Sequence, residues 1–221
     1  MAGRDFELVF LRQEDAPRLL AFLKRFFFRD EPLNVAVQLL GPRHDQPCVP
    51  LEEYCAEALQ EPLSIAAVAP GSGELLGVCL NGSNAPGHAD EARARAAACP
   101  HPRFRKILRL LAEVEAQADL FARFPGLQRL LEVRVLSVDG ACRGLGIGTA
   151  LLRRTRELAA EHGFPLVRCD CTSAFSARAV DRLGFYPVCT LPYDSYLGDD
   201  GRPVFQPEPP HTQVSCYVYK V

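Results

Sequence analysis

The run Val138-Asp139-Gly140-Ala141-Cys142-Arg143-Gly144-Leu145-Gly146-Ile147-Gly148-Thr149 has the composition of an anion cradle. It leaves an apolar, alternating segment and opens a second segment with helical periodicity, Leu151, Leu152, Thr155, Leu158 and Ala159. Glycine lets the backbone approach a ligand with no Cβ in the way. Free N–H groups and the positive dipole end at a helix start suit phosphate, and Arg143 adds a charge-assisted partner. A nucleoside-triphosphate loop would need GxxxxGK[ST], but Thr149 follows Gly148 and no lysine is present. The dinucleotide fingerprint GxGxxG is also missed, since the glycines fall at 144, 146 and 148. That spacing, two-thirds along the chain, weakens a nicotinamide-dependent oxidoreductase. A tight turn with no ligand is the plainer alternative, yet it leaves three alternating glycines beside an arginine unexplained.

Glu31 is the second candidate. It follows Phe26-Phe27-Phe28 and precedes Pro32, which restricts its backbone. A carboxylate buried among such neighbours has a raised pKa and can serve as a general base near neutrality. If Glu31 ends the preceding helix, the negative dipole end raises that pKa further; if it opens a helix at 33–40, the dipole acts the other way. On residue type alone, a surface acid in a turn is the simpler reading. Three hydroxyls, Thr172, Ser173 and Ser176, follow a short apolar run, and Ser176 can also cap a helix over 175–183. Arg178 can reach phosphates or stay solvated. Phe28 and Tyr54 can wall an amine pocket or pack in the core.

Nine cysteines, an odd number in a chain of this length, suggest reduced, buried thiols rather than a disulfide framework. Cys169 and Cys171 would share one face of a strand. Cys99 and His101 lack further ligands at metal-site spacing, so no metal is expected.

Around these residues the patterns place strands at 6–11, 64–69, 74–81, 131–138, 166–171, 185–191 and 212–220. Helices are expected from Asp15 to Pro32, over 33–40, 51–60, 88–98 and 103–124, from the glycine-rich turn to His162, and over 175–183. Hairpins early and one β-α-β unit late make an α/β (α+β) fold with a mixed sheet, one domain over 1–221.

The chain has 221 residues, 48% hydrophobic and 24% charged, with a net charge of -2. That supports a full core and implies no basic face, so nucleic acid is not an expected partner. Charged residues at Arg4, Asp5 and Glu7 replace the apolar run of a signal peptide. No stretch approaches the ~20 apolar residues of a membrane span. A cytoplasmic monomer with no membrane partner is expected.

Arg143 through Gly148 resembles the acetyl-CoA pyrophosphate loop of the GNAT acetyltransferase superfamily. Residues 26–34 (Phe-Phe-Phe-Arg-Asp-Glu-Pro-Leu-Asn) are similar to the N-terminal motif of insect arylalkylamine (dopamine-type) N-acetyltransferases. Residues 170–185 resemble that family's second motif, with Cys-Thr-Ser in place of Cys-Ser-Ser, and 101–108 is also similar. The resemblance implies a GNAT fold, with a mixed, mostly antiparallel sheet splayed at an acetyl-CoA site. It implies acetyl transfer to a small arylalkylamine of the dopamine, tyramine, octopamine, serotonin or tryptamine class. Glu31 would be the general base, and Thr172 and Ser176 its supporting hydroxyls. Coenzyme contacts would come from Leu136, Ser137, Val138, Arg143, Gly144, Leu145, Gly146, Ile147, Gly148, Thr149, Ser173, Ser176 and Arg178, and amine contacts from Phe28, Glu31 and Tyr54. Acetylation of agmatine, polyamines or another small amine is the alternative, as is a catalytically silent acyl-CoA-binding protein.

Overall fold

In a computed structural model, residues 5–43 and 45–221 are described. Seven strands form one sheet in the order β1 (Glu7–Phe10), β2 (Ile65–Val68), β3 (Leu75–Asn84), β4 (Leu130–Val138), β5 (Leu166–Cys171), β7 (Gln213–Lys220) and β6 (Tyr186–Pro192). Every neighbouring pair is antiparallel except β4 and β5. Those two are joined by α7 (Ile147–Glu161), the crossover that a parallel pair requires.

The parallel ladder is short. It runs from Leu131↔Val167 to Val133↔Cys169 and stops, although β4 continues to Val138. Residues 135–138 keep β3 on one side and make no ladder with β5 on the other. The sheet is therefore splayed at its centre. Arg134 marks the start of the opening: it is the extra residue between Val133↔Asn81 and Val135↔Leu80, a bulge that bends the strand.

Each face of the sheet carries its own core. On one face, Leu130 and Val135 of β4 pack with Phe104, Ile107 and Leu110 of α5 (Pro102–Ala118) and with α1 (Ala16–Phe26). On the other, Leu131 and Val133 pack with Ile147, Leu151 and Leu158 of α7 and Val180 of α8 (Ala174–Asp181). Cys169 and Cys171 share the second face with Sγ atoms 3.8 Å apart. Eight of the nine cysteines are buried, and Cys189 is half-buried.

Some helices differ from the periodicity. The first ends at Phe26, not at Pro32, because Phe28 turns inward and its N–H donates to Leu23 O at 2.8 Å. The expected helix over 33–40 is only α2 (Pro32–Ala36), and 51–60 becomes α3 (Val49–Glu57), with Pro50 in its first turn. The single helix over 103–124 is broken into α5 and α6 (Leu120–Arg123) by Asp119 at φ 38°. That left-handed residue is neither glycine nor asparagine, so no local signal marked the break. The fourth helix, α4 (His88–Ala98), has the expected bounds.

Candidate active site in the sheet splay

A cavity of about 1190 Å³ passes through the splay. Leu136, Ser137 and Val138 of β4, the turn residues Arg143, Gly144 and Gly146, and Ile147, Gly148 and Thr149 of α7 line one part. Glu31, Tyr54, Thr172, Ser173 and Ser176 line another. Residues scattered over more than 140 positions of sequence thus meet where β4 and β5 part.

The turn is locally determined. Asp139 accepts the Ala141 N–H at 2.9 Å and starts the bend. Gly144 and Gly146 adopt φ values of 79° and 83°, where a side chain is strained. A Cβ on either would meet no protein atom within 4 Å, so both face open space. Gly146 caps α7 and has no side chain to satisfy the first amides, which leaves those of Ile147, Gly148 and Thr149 available to an anion. Gly77 on β3 lets α7 come close, since a Cβ there would stand 2.8 Å from Ile147 Cγ2. Arg143 pairs with Asp30 at 2.5 Å, both about half-exposed. A diphosphate fits this cradle of uncapped amides, open space and one guanidinium.

Glu31 sits at the other side of the opening. It caps α2: Oε2 accepts the Asn34 N–H at 2.7 Å. The carboxylate is therefore at the positive end of a helix, not the negative end of the preceding one. Its second oxygen, Oε1, is buried and has no hydrogen-bond partner among the described residues. Burial is the largest influence on its pKa and raises it, against the Asn34 and Leu33 amides and the nearby Thr172 hydroxyl, which lower it. An ionisable group with one bound and one free oxygen is a competent proton acceptor.

The Thr172 hydroxyl lies beside Glu31, and Ser173 and Ser176 line the same cavity. The Thr172 carbonyl accepts the O–H of Tyr193 at 2.7 Å, and Tyr193 is itself buried. Ser173, not Ser176, caps α8: its Oγ accepts the Ser176 N–H at 3.0 Å. Ser176 Oγ donates to Ser173 O at 2.9 Å. Capping by Ser176 was the alternative reading of that residue, and the cap is Ser173, three residues earlier.

Phe28, Leu145 and Arg178 do not line the cavity. Phe28 is 2% exposed in the core, while Phe26 and Phe27 face the cavity instead. Leu145 points to solvent, and Arg178 lies over the exposed Phe175 ring at 5.0 Å. Tyr54 does line the cavity, edge-on to Phe104 at 6.5 Å.

Other lining residues carried no sequence signal. His211 comes from the loop before β7; its Nδ1 accepts the Ala174 N–H at 3.2 Å, and its pKa is lowered by burial and by Arg178. At the end away from the glycine turn lies a charged group: His88, Glu115, Glu132, Arg134, Arg168 and Asp170. Arg168 is 1% exposed and bridges Glu115 and Asp170, the latter at 2.6 Å. No periodicity predicts such a cluster, because its members come from four elements.

Residues 41–185 match the family model described as the acetyltransferase (GNAT) family. Among solved structures, arylalkylamine N-acetyltransferase 2 from Aedes aegypti is similar with a TM-score of 0.91 and 32% identity, over 98% of this chain and 99% of that one. Polyamine N-acetyltransferase from Drosophila melanogaster, which forms N-acetylagmatine, is similar with a TM-score of 0.87 and 27% identity, over 98% of this chain and 100% of that one. No helix among the described residues is long and apolar enough to cross a membrane.

Proposed function

The chain belongs to the GNAT acetyltransferase family, and from that premise we propose that it acetylates the primary amine of a small arylalkylamine, with Glu31 as the general base. The observation that carries this reading is the Glu31 carboxylate, buried at the splay with a free oxygen and a raised pKa. Acetyl-CoA, the acyl donor of the family, supplies the thioester.

Each group of residues then has a task. The uncapped amides of 147–149, with Arg143, hold the diphosphate. An alkylamine is protonated at neutral pH and cannot attack a carbonyl until it loses that proton. Glu31 takes the proton through Oε1, directly or through water. Backbone N–H groups of residues 136–138 that face the splay can receive the developing oxyanion. Thr172 and Ser176 supply hydroxyls near the proton path, and Ser176 protonates the departing thiolate or positions the sulfur. Phe26, Phe27, Tyr54 and Phe104 offer apolar walls to an aromatic ring.

A second reading, acetylation of agmatine or polyamines, is favoured by Glu91 in the cavity lining, a carboxylate outside the ion pairs that engage Glu115 and Glu132. A silent acyl-CoA-binding protein would have no need of the buried base. Thiol release from acetyl-CoA, measured against a panel of arylalkylamines, agmatine and spermidine, separates the three. Tyramine-class amines are expected to give the highest kcat/KM. Preference for agmatine would support the second reading, and coenzyme binding without thiol release the third.

A further inference from the structure

The charged end of the cavity has a defined position relative to the reacting atoms. Glu132 pairs across the ladder with Gly82, and strand alternation puts it on the face of Leu130, the face covered by α5. The glycine turn and α7 cover the opposite face. A ligand held by that turn therefore reaches the splay from one side, and Glu132 lies on the other. Leu136, at the splay, is four residues along β4, or ~13 Å. An arylethylamine with a ring hydroxyl, together with the hydrogen bond at one end and the nitrogen's approach to the thioester at the other, is of comparable length.

Glu132 is held in a particular way. The bulge at Arg134 turns its guanidinium back over Gly82, where a Cβ would come within 2.4 Å of the guanidinium carbon. Arg134 Nε then lies 3.4 Å from Glu132 Oε2, with both side chains mostly buried. Nearby, His88 Nδ1 is buried without a hydrogen-bond partner, 3.4 Å from Glu115 Oε2. Glu115 is in turn committed to Arg168. The charges in this cluster are largely matched, so what it offers is acceptor lone pairs rather than bare negative charge. Tyr54 and Phe104 form the apolar stretch before it.

We propose that Glu132, braced by Arg134 over Gly82 and flanked by His88, is the subsite for a hydroxyl on the aromatic ring of the amine, so that the enzyme selects phenolic over unsubstituted arylethylamines. A phenol O–H donates to the waiting acceptor. A ring without one strips water from that acceptor and returns nothing, which is how a polar site rejects an analogue lacking a hydroxyl. The proposal rests on amine acetylation as read above, and its outcome is separable from it.

The test compares kcat/KM for tyramine and phenethylamine, with agmatine as a third arm. The wild-type enzyme is expected to favour tyramine at least ~10-fold, and both Glu132→Leu, which removes the acceptor, and Gly82→Ala to bring that ratio close to one. Gly82→Ala displaces the Arg134 guanidinium without substituting any residue of the cluster. Equal use of the two amines by the wild type would overturn the assignment, and needs no variant. So would a ratio unchanged in both variants, or an agmatine activity that exceeds tyramine and falls with Glu132→Leu. Acetylation of neither arylethylamine nor agmatine would count against the proposed function itself.

Discussion

Glu31 accepts the Asn34 N–H at 2.7 Å through one carboxylate oxygen while the other stays buried and unpartnered. The same side chain thus fixes the start of α2 and presents a free proton acceptor to the cavity. Capping favours its charge, burial opposes it, and burial wins.

That balance costs stability. The folded pKa of Glu31 is raised above its ordinary value of 4.5, so the folded state loses stability as pH climbs from the unfolded to the folded value. Glutamine keeps an acceptor for Asn34 but does not titrate. The Tm of Glu31→Gln relative to wild type is expected to rise as pH climbs upward from about 4.5, the ordinary value. A difference that stays constant over that range would mean the carboxylate is not desolvated.

Thr172 lowers the pKa of Glu31, so removing its hydroxyl should raise it. Thr172→Val is expected to shift the ascending limb of the pH–rate profile upward and lower kcat/KM by ~10-fold. Thr172→Ser should restore the wild-type limb. Steady-state kinetics across pH would decide, and a Val variant with an unmoved limb would place Thr172 outside the proton path.

The glycine turn separates backbone conformation from loop length. Gly146→Ala puts a Cβ at φ 83° and into the open cradle, costing ~1–2 kcal/mol in strain and blocking the anion. Affinity for coenzyme A by calorimetry is expected to fall at least ~10-fold. Gly140→Ala has open space around its Cβ and no positive φ, and should bind as wild type does. Equal binding by both variants would disconnect the turn from the coenzyme.

The two serines at α8 have divided roles. Ser173→Ala removes the cap and should cost ~1 kcal/mol in urea denaturation. Ser176→Ala should cost less than ~0.5 kcal/mol in stability yet lower kcat/KM. The reverse pattern would return Ser176 to a structural role.

Legibility in the sequence followed locality. The turn at 143–148 was readable because its glycines meet a local need, positive φ and open amides, which the residues 144 and 146 themselves satisfy. β4 was readable because its alternation is intrinsic, and α4 because its alanines and arginines are strong helix formers. Glu31 was legible as a candidate, but not the sense of its dipole, since that depended on where α1 let go at Phe26. Phe28 and Phe27 are the same residue type, and only the inward turn decides which one reaches the core. The Arg134 bulge, the Gly82 space and His211 arise from contacts between distant segments, and no pattern within any one segment encodes them.

Glu31 is the residue proposed to take the proton from the amine that attacks acetyl-CoA. The direct measurement is thiol release with tyramine across pH for wild type and Glu31→Gln. The variant is expected to lose ~10²-fold or more in kcat/KM, together with the limb set by a carboxylate of raised pKa. A near-normal rate with an unchanged profile would contradict it.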